Sequence, residues 1–310
     1  PASSDLDASH PSGPQLDPFA EVPDTETSSV PKFVELCSGT AQFLQYQLEA
    51  DPTAEGWAFD IMPEEQARAL MNLPSHLQSR LHYVEIPALL LQEIDFAGLQ
   101  RLCIQHTGVR LQKLSGLHVS PPCTTFTKAH HADDERNPHR VHGVATSDLA
   151  KEHDRLLRNL CEILHEVAQR TFSTVLSIEN PDCSFQFQRP VLRLLGRAGW
   201  QKRTADHCVM SNDRDPICPR KRSTWIMFNV KPTAPFRTCG NTCRFRIGTS
   251  GFHKILVCSR DDQHPEQVVQ RDKWLNGRLP HGCFHAMYTH RQRTPSEARR
   301  PNPNKRIAMP

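Results

Sequence analysis

The sequence predicts an α/β fold with a doubly wound, mostly parallel sheet. Between residues 32 and 230, short apolar segments with the character of strands alternate with segments of helical apolar spacing. Strands and helices that alternate in this way form a parallel sheet with helices on both faces. The chain has 310 residues, which is enough for one large domain of this kind.

The first half of the predicted domain contains three strands. "KFVEL" (residues 32–36) is an apolar run that ends in a short Ser-Gly turn, and residues 41–50 have helical spacing. "GWAFDI" (residues 56–61) predicts the second strand, and the Pro-Glu-Glu that begins at Pro63 predicts the start of a helix. "LHYVEI" (residues 81–86) predicts the third strand.

The second half continues the alternation. A helix is predicted at residues 96–106, and a strand at residues 115–120 is stopped by two prolines. Residues 147–170 form the clearest helix, because apolar residues recur at three- and four-residue steps after Ser147 or Asp148 as the cap. The remaining elements are predicted as a strand at 173–181, a helix at 190–199 and a strand at 222–230.

Composition divides the chain into four segments. They are a disordered acidic N-terminal segment at 1–30, a catalytic domain at 31–230, a small Cys/His-rich module at 231–292 and a disordered basic tail at 293–310. The first 30 residues hold six acidic residues and neither Lys nor Arg, with many Pro and Ser residues. The basic end can bind phosphates by charge, or it can serve only as a solubilising tail.

Composition also predicts where the protein works. Eleven cysteines is an odd number that fits a reducing, intracellular compartment better than a disulfide framework. We expect the nucleus if the source is eukaryotic and the cytoplasm otherwise. The N-terminus has neither the basic start nor the apolar core of a signal peptide. No apolar run approaches the roughly 18 residues that span a bilayer, so no membrane partner is expected.

Chemically active residues stand at the ends of the predicted strands. They are Glu35, Asp60, Glu85, Cys123 and Glu179. In an open parallel sheet, ligands bind at the carboxyl ends of the strands, and an acid after the second strand can accept hydrogen bonds from a ribose. The set therefore predicts a nucleoside cofactor beside a Cys–Glu pair. The alternative is that Cys123 is a small turn residue and that Asp60 only caps the helix after it.

Four motifs occur in a characteristic order. They are "ELCSGTAQF" (residues 35–43), "SPPCTTFT" (120–127), "ENP" (179–181) and "CPRKRSTWIMF" (218–228). Their order and content resemble the cytosine-C5 DNA methyltransferase family, as a divergent, phage-type or mobile-element-like member. In the family's Gln-x-Arg-x-Arg motif, Arg220 and Arg222 take the Arg positions and Cys218 replaces Gln. The resemblance runs from about residue 32 to 230 and implies a Rossmann-like methyltransferase fold.

The resemblance implies S-adenosylmethionine as the cofactor. The residues it assigns to the cofactor are Glu35, Leu36, Cys37, Ser38, Gly39, Asp60, Ile61, Glu85 and Pro122. The first five would hold the methionine end, Asp60 the ribose hydroxyls, Ile61 the adenine face and Glu85 the adenine amino group. Ala41 and Gln42 stand where the family has glycines, which departs from its pattern.

The resemblance also implies the reaction. The Cys123 thiolate would add to C6 of a flipped cytosine, and Glu179 would stabilise charge at N3. Arg222 and Arg220 would act electrostatically at O2 or at the thiolate. The implied partner is DNA. Two alternatives stay open, namely an inactive DNA-binding or regulatory protein with this fold, and an RNA cytosine-5 methyltransferase.

The predicted module contains a candidate structural zinc site. Its ligands would be Cys239, Cys243, His253 and Cys258, a set of soft ligands in pairs with a Gly-rich loop between them. Alternatively, Cys258 belongs to a core, and His264 or Cys283 supplies the fourth ligand. Basic and aromatic residues of the module would lie against the DNA backbone or form a solvated loop.

Overall fold

The computed structural model describes residues 30–71, 73–123, 125–126, 148–182, 190–206, 222–230, 239, 246–247 and 252–253. The predicted acidic N-terminal segment apart from its last residue, the basic tail and most of the Cys/His-rich module lie outside these residues. The His-rich loop after Phe126 and Arg220 lie outside them as well.

Seven strands form one sheet in the order β3-β2-β1-β4-β5-β7-β6. They are β1 Lys32–Leu36, β2 Glu55–Asp60, β3 Leu81–Glu85, β4 Gly116–Val119, β5 Val175–Pro181, β6 Trp200–Asp206 and β7 Arg222–Phe228. The first five pair in parallel, and β7 runs antiparallel between β5 and β6. The predicted doubly wound, mostly parallel Rossmann-like sheet is therefore confirmed.

Helices cover both faces of the sheet. They are α1 Gln42–Ala50, α2 Glu64–Met71, α3 Ala88–Glu93, α4 Phe96–Thr107, α5 Asp148–Arg170 and α6 Pro190–Leu195. Helix α1 packs on one face with Trp225 and Met227 of β7, and α4 and α5 pack on the other face against Val34 and Leu117. Among the described residues, no helix is long and apolar enough to cross a membrane. A separate pair of short strands, β8 Arg246–Ile247 and β9 Phe252–His253, lies in the module.

The chain order creates a switch point between β1 and β4. From β1 the chain winds outward through β2 to β3, and it then returns to form β4 on the other side of β1. Loops at the carboxyl ends of β1 and β4 therefore diverge and leave a crevice at which α/β proteins bind ligands. The segments after these two strands are Cys37–Ala41 and Ser120–Cys123.

Of the seven-stranded sheet and the helices that cover it, β6 and α3 were not predicted, and neither were the short strands β8 and β9. Strand β6 is at the edge of the sheet, and its central residues Lys202 and Arg203 are exposed, so it lacks the apolar run of a buried strand. Helix α3 has only six residues, which is too short for a helical period to be recognised.

Gly199, just before β6, provides a test of the packing at this edge. Its φ is 93°, and a Cβ there would lie 2.7 Å from Cε2 of Phe228. We expect Gly199→Ala to lower the free energy of unfolding by about 1–3 kcal/mol, because the methyl group adds steric overlap to a strained backbone. Gly196→Ala is the matched control, since within the described part of the chain its Cβ would meet only the Arg193 carbonyl oxygen, at 3.5 Å. Urea denaturation of both variants measures the difference, and equal stabilities would contradict the description of this edge.

Candidate active site

The turn after β1 has an unusual backbone. Cys37, Gly39 and Ala41 have φ values of 54°, 50° and 49°, so left-handed residues alternate with ordinary ones. A left-handed conformation costs a non-glycine residue on the order of 1 kcal/mol, and Cys37 and Ala41 both adopt it. Ala41 therefore adopts the left-handed conformation although it is not a glycine. At Gly39 no heavy atom of the described residues lies within 4 Å of the position that a Cβ would take, so that face of the turn is open within this part of the chain.

Glu35 and Leu36 are the last two residues of β1, directly before this turn. The Glu35 side chain is buried, and its Oε2 accepts a hydrogen bond from Leu44 N at 3.2 Å, near the start of α1. Burial raises the pKa of this carboxyl well above its usual range, and hydrogen bonds from the α1 backbone oppose the rise. The Leu36 side chain is fully buried in the core. Glu35 therefore fixes the start of α1 against β1, and this contact stabilises the turn between the two elements.

Burial also affects the thiol next to Glu35. The Cys37 side chain is half-buried, and desolvation with the charges of Asp60 and Glu35 raises its pKa far above the usual range. Cys37 therefore carries a neutral thiol at physiological pH. This thiol is unsuited to act as a nucleophile, because the thiolate is the reactive form.

Asp60, at the end of β2, bonds to the turn after β1. Its Oδ2 accepts a hydrogen bond from Gly39 N at 2.7 Å, and its Oδ1 accepts one from Met62 N at 3.0 Å. The bond to Met62 N resembles the alternative role of Asp60 as a cap for the helix after it. Asp60 therefore bonds both to the segment before α2 and to the turn after β1. Asp60 also pairs in register with Glu85 at the end of β3, which places two acids side by side.

These residues fit a nucleoside ligand. Each Asp60 oxygen accepts one of these backbone hydrogen bonds, and a carboxylate oxygen has a second lone pair that can accept from a hydroxyl. Ile61 follows Asp60 directly and is 51% exposed, which is high for an isoleucine and offers an apolar face to a base. The Ser38 Oγ atom is buried and has no hydrogen-bond partner among the described residues. A polar ligand at the turn would supply that partner.

The Pro-Pro-Cys segment forms a turn that three neighbouring segments hold. Ser120 N donates to Leu36 O at 3.1 Å, which ties the turn to β1. Asn180 Nδ2 donates to Pro121 O at 2.9 Å, which ties it to β5. Phe126 N donates to Cys123 O at 2.9 Å and closes the turn on its other side. Cys123 is half-buried on this fixed turn.

Glu179 lies at the end of β5, the strand that neighbours β4. It is 7% exposed, and Asn180 beside it is 1% exposed. Strand β7 runs antiparallel, so its first residue, Arg222, comes to the same edge, one position before the Pro181–Ser223 pair. The structure therefore brings Cys123, Glu179 and the backbone of Arg222 together at the carboxyl edge. The side chain of Arg222 and all of Arg220 lie outside the described residues.

Three groups near this edge were missed by the sequence analysis. Asp206 ends β6 opposite Arg222, is fully buried, and its Oδ2 accepts a hydrogen bond from Cys239 N at 2.6 Å. His153 of α5 contacts the turn, with Nδ1 2.9 Å from Thr125 Oγ1. His118, in the middle of β4, is fully buried. Only His118 had a local signal, since a lone polar residue inside a buried strand needs a partner.

The zinc site stays a prediction. Cys243 and Cys258 lie outside the described residues, and only the backbone of His253 lies within them. No group of three or more potential metal ligands occurs in the part of the chain that the structure describes. Cys239 is the one proposed ligand with a described hydrogen bond, which its backbone N donates to Asp206 Oδ2.

Comparison with known proteins gives structural neighbours only. No protein-family model and no curated protein matches the sequence. The similar solved structures include an S. pombe Dnmt2 methyltransferase, with 16% identity over 66% of this chain and 52% of that chain and a TM-score of 0.40. An Entamoeba histolytica methyltransferase, EhMeth, has 12% identity over 68% and 57% of the two chains and a TM-score of 0.40. A Spodoptera frugiperda DNMT2 mutant has 17% identity over 67% and 53% and a TM-score of 0.37.

The chain spans about half the length of these three structures. At such identities and TM-scores they carry no argument about function. The functional argument therefore rests on the site residues themselves.

Proposed function

We propose that this protein is an S-adenosylmethionine-dependent DNA (cytosine-5)-methyltransferase in which Cys123 is the nucleophile. The observation that carries the proposal is the hydrogen bond from Asn180 Nδ2 to Pro121 O. It couples the turn that bears Cys123 to the strand end that bears Glu179, beside the open turn at Gly39. This reaction needs a thiol, a carboxyl group and a crevice that can bind a nucleoside, all at the carboxyl edge of the sheet.

The residues at the ends of β1, β2 and β3 would hold the cofactor. The Ser38–Gly39 turn would bind its methionine end, Asp60 its ribose hydroxyls, Ile61 the adenine face and Glu85 the adenine amino group. When bound, S-adenosylmethionine supplies an electrophilic methyl group on a sulfonium sulfur. Glu35 would act from behind, by fixing α1 and the turn rather than by touching the ligand.

Cys123 and Glu179 would act on the base. C5 of cytosine is a poor nucleophile because it is part of an aromatic ring. Addition of the Cys123 thiolate to C6 forms an S–C bond, breaks the C5–C6 double bond and moves electron density to C5 and N3. Glu179 would share its proton with N3 and so stabilise this density. C5 would then take the methyl group as its bond to the sulfonium sulfur breaks and leaves a neutral thioether. Loss of the C5 proton to a base or water and departure of the thiolate restore the aromatic ring.

The base must leave the double helix to reach Cys123. Enzymes that act on an atom inside a duplex rotate the nucleotide out of the stack and into a pocket. The crevice between the two diverging turns is where the flipped cytosine would lie. Arg222 and Arg220 would then stabilise charge at O2 or at the thiolate.

A labelled-methyl assay tests the proposal. The protein is incubated with methyl-labelled S-adenosylmethionine and, separately, with mixed-sequence duplex DNA and with total RNA, and the nucleosides are then analysed. Label in 5-methyldeoxycytidine supports the proposal, and DNA already methylated at every cytosine C5 is the control. Label in RNA alone would replace DNA by RNA as the substrate. No label in either would favour the inactive binding protein.

Asp60 provides a separate test of the cofactor site. We expect Asp60→Asn to weaken S-adenosylmethionine binding about 10- to 100-fold, because hydrogen bonds to a charged acceptor are worth about 1.5–3 kcal/mol. Isothermal titration calorimetry measures the change. Glu166→Gln on α5 is the matched control, because it also removes one negative charge. Glu166 pairs with Arg170 at the C-terminal end of α5, which leads to the start of β5 and not to the carboxyl ends of the strands. Equal affinities of both variants and the wild type would exclude Asp60 as a ligand.

A further inference from the structure

His118 is a fully buried histidine that the proposed reaction does not use. Its Nδ1 lies 2.8 Å from Ser177 Oγ of β5, and its Nε2 lies 2.9 Å from Ser120 Oγ. The ring is also stacked on Trp225, with centroids 5.5 Å apart, and packs against Phe43 at 4.9 Å. Both ring nitrogens therefore have partners, and the ring has two aromatic neighbours.

The ring is neutral at physiological pH. Burial lowers the pKa of His118 to about 3, because the charged form would be desolvated. One ring nitrogen of a neutral imidazole donates and the other accepts, so the two serine hydroxyls take complementary roles. His118 thus joins β5 to the Ser120 hydroxyl through one rigid ring.

Ser120 is the first residue of the turn that carries Cys123. The two residues between them are prolines, whose rings fix φ near −65° and leave few ways for the backbone to bend. A change in the orientation of Ser120 would therefore displace Cys123 as well. Hydrogen bonds from Ser120 N and to Pro121 O hold the turn, and His118 Nε2 bonds to the Ser120 hydroxyl.

We propose that His118 is a positioning residue that sets the direction of the Cys123 thiol through the Ser120 hydroxyl. This inference rests on the proposed role of Cys123 as a nucleophile, but its test does not require methyl transfer. A core histidine with a structural role alone would affect the stability of the whole domain. A positioning histidine would affect the Cys123 turn selectively.

Two pairs of variants separate these roles. In His118→Gln the side-chain amide nitrogen can reach the place of Nε2 and bond to Ser120, whereas in His118→Asn the amide reaches only the place of Nδ1, beside Ser177. Ser120→Ala and Ser177→Ala remove one hydroxyl each, on opposite sides of the same ring. Each pair changes a similar volume and a hydrogen bond to the same ring, so a purely structural role predicts similar effects within the pair.

The measurement is the rate of alkylation of Cys123 by iodoacetamide, followed by mass spectrometry. The tryptic peptide 114–128 contains Cys123 and no other cysteine. We expect His118→Asn and Ser120→Ala to change this rate about three- to tenfold, as loss of one hydrogen bond would allow, and His118→Gln and Ser177→Ala to change it less than twofold. Cys103 and Cys161, both buried, report loosening of the core in the same digest and should stay slow.

Activity provides the second reading where methyl transfer is detected. His118→Asn and Ser120→Ala should lower kcat about tenfold and leave the KM for S-adenosylmethionine unchanged, since a misdirected thiol affects the chemical step. Equal Cys123 alkylation rates in all four variants would overturn the positioning role, whether or not the protein methylates DNA. Faster alkylation of Cys103 and Cys161 together with Cys123 would overturn it as well, in favour of a structural role. Absence of methyl transfer in the wild type, with the alkylation pattern intact, would instead count against the proposed function alone.

Discussion

Cys123→Ser is expected to reduce methyl transfer at least about 1,000-fold and to leave S-adenosylmethionine affinity within about twofold of the wild type. A serine hydroxyl is a far weaker nucleophile than a thiolate, and the substitution removes the group that opens the aromatic ring. The side chains are nearly isosteric, so the hydrogen bonds to Pro121 O and Cys123 O that hold the turn remain. Single-turnover assays with labelled cofactor and calorimetric binding measure the two quantities.

Cys103→Ser is the matched control for this variant. Cys103 is fully buried on α4, where its Sγ donates to Val109 O at 3.2 Å, and a serine hydroxyl can make the same bond. We expect Cys103→Ser to retain wild-type activity. Equal activities of the two serine variants would mean that the protein methylates without Cys123 and would contradict the covalent mechanism.

Glu179→Gln is expected to lower kcat about 100- to 10,000-fold, which is the range for loss of a proton-transfer group. The amide is similar in shape and can still form a hydrogen bond to N3, but it has no acidic proton to give. The KM for S-adenosylmethionine should change little, because Glu179 lies on β5 and the cofactor residues lie on β1 to β3. Steady-state kinetics with DNA at saturating cofactor measures both constants.

Glu162→Gln is the control for Glu179→Gln. Glu162 is an exposed residue of α5 and carries the same charge. An effect of equal size in both variants would mean that net charge, and not the carboxyl group at the strand end, controls the rate.

The central strands could be predicted because burial on both faces requires a recognisable run of apolar residues in the sequence. Strands buried on both faces are nearly continuous apolar runs, as in "KFVEL" for β1, and each ends where Gly, Pro or an acid stops it. Strand β6 has no such apolar run, because Lys202 and Arg203 are exposed at the edge of the sheet. The sequence therefore predicted the five parallel strands and the antiparallel strand β7, and it missed only β6 among the seven strands of the described sheet.

The site was predicted where its information is local, and missed where it depends on pairing between strands. Cys123 and Glu179 belong to short motifs, and the rule that ligands bind at strand ends was enough to bring them together. The partners of His118 and Asp206 depend on the register of β4 with β5 and on a contact between residues 33 positions apart. Glu35 shows the same limit, since its bond to α1 is visible only when the helix is in place.

The central claim is that Cys123 bonds covalently to C6 of cytosine, and trapping tests it most directly. Duplex DNA of mixed sequence that contains 5-fluorocytosine is incubated with the protein and S-adenosylmethionine, and parallel samples contain fluorinated RNA. Fluorine at C5 cannot leave as a proton does, so the thiolate cannot depart. We predict a denaturant-stable adduct with DNA that maps to peptide 114–128 and is absent from Cys123→Ser. An adduct at another cysteine, or no adduct with either nucleic acid although S-adenosylmethionine binds, would contradict the account.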